Sequence, residues 1–249
     1  MKRSHTWRRF ALGPLLAAGC YETSLSIAAS LSIAMIAAAD AVHDGAADAA
    51  YDEAADVAAE VAAEDSSRLV GWAAHGESTT GGAGGPEYRV SDAVELARRL
   101  KSDEPKIVRV DGVVRMNGSV RVGSRTTLIG TRGAALVGGG LQIRKARNVI
   151  VRNLAISEAT DAIDIEDSQH VWIDHCDLSR CKDGLLDIKR GADFITVSWN
   201  RFHDHHKTCL LGHSDKESIR KLDAGHLRTT YHHNFFDGTK TRHPRVRFA

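Results

Sequence analysis

Ile150-Val151-Arg152-Asn153-Leu154, Ile173-Asp174-His175-Cys176-Asp177, Val197-Ser198-Trp199-Asn200-Arg201 and Tyr231-His232-His233-Asn234-Phe235 are four segments of one pattern. With Asn153, Cys176, Asn200 and Asn234 as anchors, the spacings are 23, 24 and 34 residues. Three places before each anchor stands Ile150, Ile173, Val197 or Tyr231; two places after it stands Ala155, Leu178, Phe202 or Phe236. An apolar strand followed by a polar turn, recurring every twenty-odd residues, marks a solenoid whose coils bury a core only by stacking. Asn in the turn slot can bond the coils above and below it and tolerates left-handed backbone. The reading is therefore all-β: a right-handed, single-stranded parallel β-helix from about Lys106 to Phe248. Asn153, Asn200 and Asn234 are expected to superpose at one corner. The extra residues of the last repeat fall around Gly212 to Gly225, as a polar loop leaving one corner.

A sandwich or mixed α/β domain would need coincidental spacing, and helical periodicity is nearly absent after Lys101. One short capping helix is expected before the coils, opened by Ser91 or Asp92. It would carry Ala93, Val94, Ala97 and Leu100 on one face and cover the N-terminal end of the stack.

Outward from the repeats, the chain divides by composition. The net charge is +1, from 33 Lys and Arg against 32 Asp and Glu. Residues 66–249 are basic, with 29 Lys and Arg to 22 acids, which suits a polyanionic ligand. Residues 1–39 read as a targeting segment. Lys2, Arg3, Arg8 and Arg9 form a basic start, Leu25 to Ala39 is apolar but short for a bilayer, and Ala37-Ala38-Ala39 offers a cleavage site. Lipoprotein cleavage before Cys20 and a twin-arginine signal at Arg8-Arg9 are alternatives. Residues 40–68 are rich in Ala, Asp and Glu and read as a solvated linker. The folded domain is expected over residues 69–249. Export and no stable membrane insertion follow.

Val171-Trp172-Ile173-Asp174-His175, Asp183-Gly184-Leu185-Leu186-Asp187, Phe202-His203-Asp204-His205-His206-Lys207, Leu211-Gly212-His213-Ser214-Asp215, His232-His233-Asn234 and Arg242-His243-Pro244-Arg245-Val246-Arg247 resemble consecutive signatures of the pectate lyase superfamily. Thr79 to Gly85 resembles its opening segment, so the resemblance runs from about Val70 to Phe248. It implies a parallel β-helix, pectin or polygalacturonate as substrate, and calcium as cofactor. It also implies further coils after Arg247, so with Ala249 as the last residue the C-terminal coils are expected to be missing, leaving unpaired strand edges.

Elimination across a uronate needs its carboxylate neutralised, a base placed, and developing charge stabilised. Asp183 and Asp187 face outward if Leu186 and Ile188 point in. Four extended residues span about 13 Å, too far for one calcium shell, and Gly184 is placed to bend the chain. The resemblance adds Asp161 as third ligand; strand alternation offers Asp164 or Glu166 as well. It also assigns Arg242 as the proton-abstracting base, with Lys207 and Arg247 binding the substrate carboxylate. A guanidinium is an awkward base, since it stays protonated in almost all settings. Neighbouring cations would disfavour its charged form, which predicts an alkaline optimum.

His203, His205, His206, His232 and His233 invite a zinc reading, but no Cys or acid completes a tetrahedral set, so they read as groove and packing residues. Asp174-His175 reads as a buried structural pair. Cys176, Cys181 and Cys209 permit one disulfide and leave an odd thiol. Rival functions are a non-catalytic or impaired polysaccharide-binding β-helix, and pectin lyase, which would be expected to replace the acidic ligands. No nucleic-acid motif is present. A monomer is expected.

Overall fold

The computed structural model describes residues 68–248. The expected targeting segment with Cys20, and the linker up to Ser67, lie outside the described residues. Strand β1 (Glu87–Val90) and helix α1 (Ala93–Leu100) precede six coils. Each coil contributes one strand to each of three sheets. The first-sheet strands are β2 (Lys106–Val110), β5 (Thr126–Gly130), β8 (Arg147–Arg152), β11 (Gln169–Asp174), β14 (Asp193–Ser198) and β17 (Thr229–His232), with β1 added at its edge. The second sheet holds β3 (Val113–Arg115), β6 (Ala135–Val137), β9 (Ala155–Ser157), β12 (Asp177–Ser179), β15 (Arg201–Lys207) and β18 (Phe235–Thr241). The third holds β4 (Val120–Val122), β7 (Leu141–Arg144), β10 (Ile163–Glu166), β13 (Leu186–Lys189), β16 (Cys209–Leu211) and β19 (Arg245–Val246). Every strand pair is parallel, so this is the expected β-helix, in the right-handed sense usual for parallel crossovers.

Period-two alternation sends one residue type inward from each strand, and stacking lines these residues into columns. Val108, Leu128, Val151, Ile173, Val197 and Tyr231 form one such column on the first sheet. Val114, Leu136, Ile156, Leu178, Phe202 and Phe236 form another on the second. The Phe202 and Phe236 rings stack with centroids 5.1 Å apart.

The corner between the first and second sheets departs from the expected register. Val151, not Ile150, pairs with Ile173, so the step from the third to the fourth coil is one residue shorter than the Asn-based alignment gave. Buried Leu154 therefore sits beneath Cys176, and Asn153 falls one column over, with φ 52°. That left-handed slot is filled in later coils by His175, Trp199 and His233. Asn suits both a ladder slot and a left-handed slot, which is why its identity alone misled the alignment. The ladder itself is real but shorter. Asn200 accepts from Cys176 N at 2.9 Å and donates Nδ2 to Ile173 O at 3.0 Å, while Asn234 Oδ1 accepts from Asn200 Nδ2 at 3.0 Å.

Helix α1 starts where expected: Asp92 accepts from Val94 N and Glu95 N. Leu100 is buried and Ala93 packs against the core as expected, but Leu96 is buried beside them and Val94 is 80% exposed. The loop around Gly212 to Gly225 leaves the corner as expected, and contains a helix α2 (Glu217–Asp223) that the polar sequence did not reveal. Before β1, residues 70–82 run as a strap across the outside of the first sheet. Trp72 N donates to Thr230 Oγ1, Ala73 N to Thr196 Oγ1, Gly81 N to Asn148 Oδ1 and Gly82 N to Thr127 Oγ1. Gly82 admits no side chain, because a Cβ there would lie 1.7 Å from Lys106 O. Cys176, Cys181 and Cys209 are free and buried, so no disulfide forms among the described residues. Burial pushes the Cys176 thiol up to about 12 and that of Cys181 to about 11.

The shifted register makes a prediction. Asn200→Ala strands several buried polar groups and should destabilise the fold by about 2–4 kcal/mol. Asn153→Gly keeps the left-handed slot and should change stability by less than about 1 kcal/mol. Urea unfolding of the two variants checks this; equal losses would contradict the register.

Candidate active site

The candidate residues gather on the outer face of the third sheet and the turns that enter it. Leu186 and Ile188 are fully buried, so Asp187 faces out, stacked on Asp164 of the coil below. Asp161 and Asp183 lie in the turns before β10 and β13. Gly184 packs directly against both Asp161 and Asp187: a Cβ there would lie 2.7 Å from Asp187 Oδ1 and 3.2 Å from Asp161 Oδ1. Gly184 N also donates to Asp161 Oδ1 at 2.9 Å. The structure thus brings Asp187 together with Asp161, whereas Asp183 turns to Lys207 Nζ at 2.8 Å.

The neighbours of this cluster explain its electrostatics. Burial, helped by Asp161 and Asp164, pushes the Asp187 carboxyl up to about 6, against the opposing pull of Lys189 and Arg242. Asp187 Oδ1 is buried and has no hydrogen-bond partner among the described residues. Burial also raises Asp161, with Asp164 and Asp183 adding repulsion. Asp183 is held below the usual carboxylate range by its bond to Lys207, with Arg242 adding to the pull. Asp164 is already neutralised, by Arg144 and by Lys189 Nζ at 2.8 Å. Of the three acids offered by the coil below, Asp161 is the one without an ion pair among the described residues. Glu166 faces Lys189 and Arg190 instead.

Oxygen-only donors, a buried carboxylate atom without a partner and mutual repulsion are what a hard divalent cation relieves. Asp161, Asp183 and Asp187 fit calcium on this basis. Among the described residues no three acids or histidines close on a common point, and Asp183 is bonded to Lys207.

Strand β15 frames the cluster from the adjoining sheet. Lys207 reaches the Asp183 carboxylate, and two residues earlier buried His205 donates Nε2–H to Asp183 O at 3.0 Å. His203 is occupied by Asp177 at 2.7 Å and Asp204 at 2.9 Å, which removes it from any metal role. Arg242 sits in the turn between β18 and β19 with φ 68°, its carbonyl accepting from Cys209 N. Arg247 lies beyond β19 and pairs with Asp215 at 3.0 Å. Asp174 is fully buried as expected, and bonds Ser198 and Arg152 in addition to His175. The sequence reading missed Lys189 and Arg144. The outward phase of their strands was the available signal for both.

The pectate lyase family model matches residues 52–249. The chain belongs to the pectate lyase family. It is 41% identical over 191 residues to a pectate lyase of Emericella nidulans, covering 72% of this chain and 58% of that protein. It is 38% identical over 187 residues to a pectate trisaccharide-lyase of Thermotoga maritima, covering 70% and 51%. Among solved structures it resembles a pectate lyase from Bacillus sp. N165 in complex with trigalacturonate, with TM-score 0.66 and 31% identity over 73% of this chain and 65% of that one. The chain thus spans little more than half the length of these curated pectate lyases.

The buried carboxylate gives a pH prediction. In chelator, a folded pKa raised to about 6 means that the stability linked to protonated Asp187 is complete below the unfolded value near 4. It is lost as pH rises through about 6. Asp187→Asn should therefore melt above the wild type at pH 8, by roughly 2 kcal/mol, and match it near pH 4. It should also lose the stabilisation that added calcium gives the wild type. Thermal melts with and without calcium check both; identical wild-type and variant curves at pH 8 would contradict the burial argument.

Proposed function

We propose that this chain forms the β-helical body of a secreted, calcium-dependent pectate lyase, acting as a monomer. It would cleave α-1,4-polygalacturonate by β-elimination to unsaturated oligogalacturonides. The observation carrying this reading is the pairing of Asp161 and Asp187 across Gly184, both with carboxyls raised by burial, flanked by Lys207 and Arg242. The trigalacturonate complex of a similar lyase supports the substrate class.

The reaction removes the proton on C5 of a uronate, forms the C4–C5 double bond and breaks the C4–O bond to the leaving sugar, whose oxygen takes a proton. Asp161, Asp183 and Asp187 would hold calcium, which when bound neutralises the substrate carboxylate and acidifies the C5 proton. Lys207 is positioned to exchange Asp183 for the substrate carboxylate, keeping a charge-assisted bond throughout. His205 fixes the Asp183 main chain, so this exchange moves side chains only. Arg242 is the proposed acceptor of the C5 proton, which requires its neutral form and so an alkaline optimum. Arg247 is the proposed second carboxylate clamp, released from exposed Asp215. Pectin lyase, acting on methylated polymer without calcium, would be expected to replace these acids, so Asp183 and Asp187 argue against it.

Purified protein incubated with polygalacturonate should raise the ultraviolet absorbance of the unsaturated product with calcium and not with chelator. Arg242→Lys should lower turnover about a hundredfold or more while substrate still binds. Near-normal turnover would move the base elsewhere, with Lys207 the next candidate. Calcium-independent cleavage would remove the metal from the reading.

A further inference from the structure

A cavity of about 440 Å³ opens at the corner between the third and first sheets, under the strap. The carboxylate cluster sits at the other end of the third-sheet strands, in the turns that enter them. The cavity is lined by Ser78, Ser124, Arg125, Arg147, Asn148 and His170, with exposed Glu77 and Asp103 at its rim. Every side chain that lines it carries a polar or charged group. The Asn148 side chain is committed: Oδ1 accepts from Thr80 N at 2.7 Å and Gly81 N at 2.6 Å, so it fixes one wall. Asp103 Oδ1 is likewise taken, by Ser124 N at 2.7 Å.

Arg125 is taken by the Asp103 carbonyl at 2.8 Å and by Glu104 at 3.8 Å, which leaves Ser78, Arg147 and His170. Arg147 bonds a neutral amide, Gln169 Oε1 at 2.6 Å, and has no carboxylate partner among the described residues. His170 is only 7% exposed, and its Nδ1 is buried without a hydrogen-bond partner among the described residues. Its ring is held in place by stacking on Phe194 at 5.1 Å. Burial and then nearby Arg147 hold the imidazole below its ordinary pKa, against a bond to the Ala73 main chain and the charges of Glu77 and Asp193. An uncompensated guanidinium suits a carboxylate, and a neutral imidazole beside serine hydroxyls suits sugar hydroxyls. The volume is within the range of small-ligand pockets.

We infer that this cavity is a second binding site, separate from the Asp161, Asp183 and Asp187 cluster, for an acidic sugar whose carboxylate meets Arg147 and whose hydroxyls meet His170 and Ser78. The choice of a uronate rests on the polygalacturonate reading; the choice of a carboxylate rests on Arg147. Such a site would hold a stretch of polyuronate without cleaving it.

The test is titration of galacturonate, galactose and acetate into the full chain in chelator, followed by calorimetry or amide shifts. Wild type, Arg147→Gln and Lys207→Gln are compared, with lyase turnover measured in parallel. Saturable galacturonate binding should weaken tenfold or more in Arg147→Gln and persist in Lys207→Gln. Galactose and acetate should each bind much more weakly, and Arg147→Gln should keep its turnover. No saturable binding, or binding lost in Lys207→Gln and kept in Arg147→Gln, would overturn the site. Galactose binding equally well would overturn carboxylate recognition, and acetate equally well would overturn sugar recognition. Arg147-dependent binding in a protein without lyase activity would sink the catalytic reading and leave this site standing.

Discussion

Parallel pairing between Ile163–Glu166 and Leu186–Lys189 sets the rest of the site in place. Strands in register stack about 4.8 Å apart, so residues 22 to 24 apart in sequence become neighbours. The inward pull of Ile163, Ile165, Leu186 and Ile188, all fully buried, leaves Asp164 and Asp187 no choice but the outer face. A slip of one residue would invert that arrangement and bury the carboxylates in the core. The apolar columns therefore do more than stabilise the solenoid. They fix which acids meet, and how poor in cations their surroundings are.

That constraint turns the site into a graded set of carboxylates. Asp164 is neutralised by Arg144 and Lys189 and Asp183 by Lys207, while buried Asp187, with only a long 3.7 Å pair to Lys189, and half-buried Asp161 have their carboxyls raised. Repulsion stored between acids is relieved by a divalent cation, which links cation binding to stability. Lys207 and Arg242 stand next to the same acids from neighbouring turns. A cation arriving at Asp183 would release Lys207 toward an incoming anion, so binding of metal and of substrate would be coupled through one side chain.

Much of this was legible in sequence, and the failures have physical causes. The repeat spacing gave the solenoid, and the outward phase of Asp187 followed from Leu186 and Ile188. Asn153 misled because Asn is at home in two adjacent corner slots, and only pairing of Val151 with Ile173 separates them. On α1 Leu100 was placed correctly, but Val94 was chosen over Leu96 because it too fits an apolar stripe. Ion pairs such as Lys207 with Asp183, or Arg247 with Asp215, join residues 24 and 32 apart and follow from coil stacking, which local spacing cannot express. In sequence the strap showed only through the resemblance of Thr79 to Gly85 to an opening segment. Its course over Thr230, Thr196, Asn148 and Thr127 needs the sheet to exist first.

The most direct test of the account is a crystal structure of the protein with calcium at alkaline pH. The account predicts one cation in contact with carboxylate oxygens of Asp161, Asp183 and Asp187, with the Lys207 ammonium moved off Asp183. A cation bound elsewhere, or Asp187 left without one while Lys207 still holds Asp183, would contradict it.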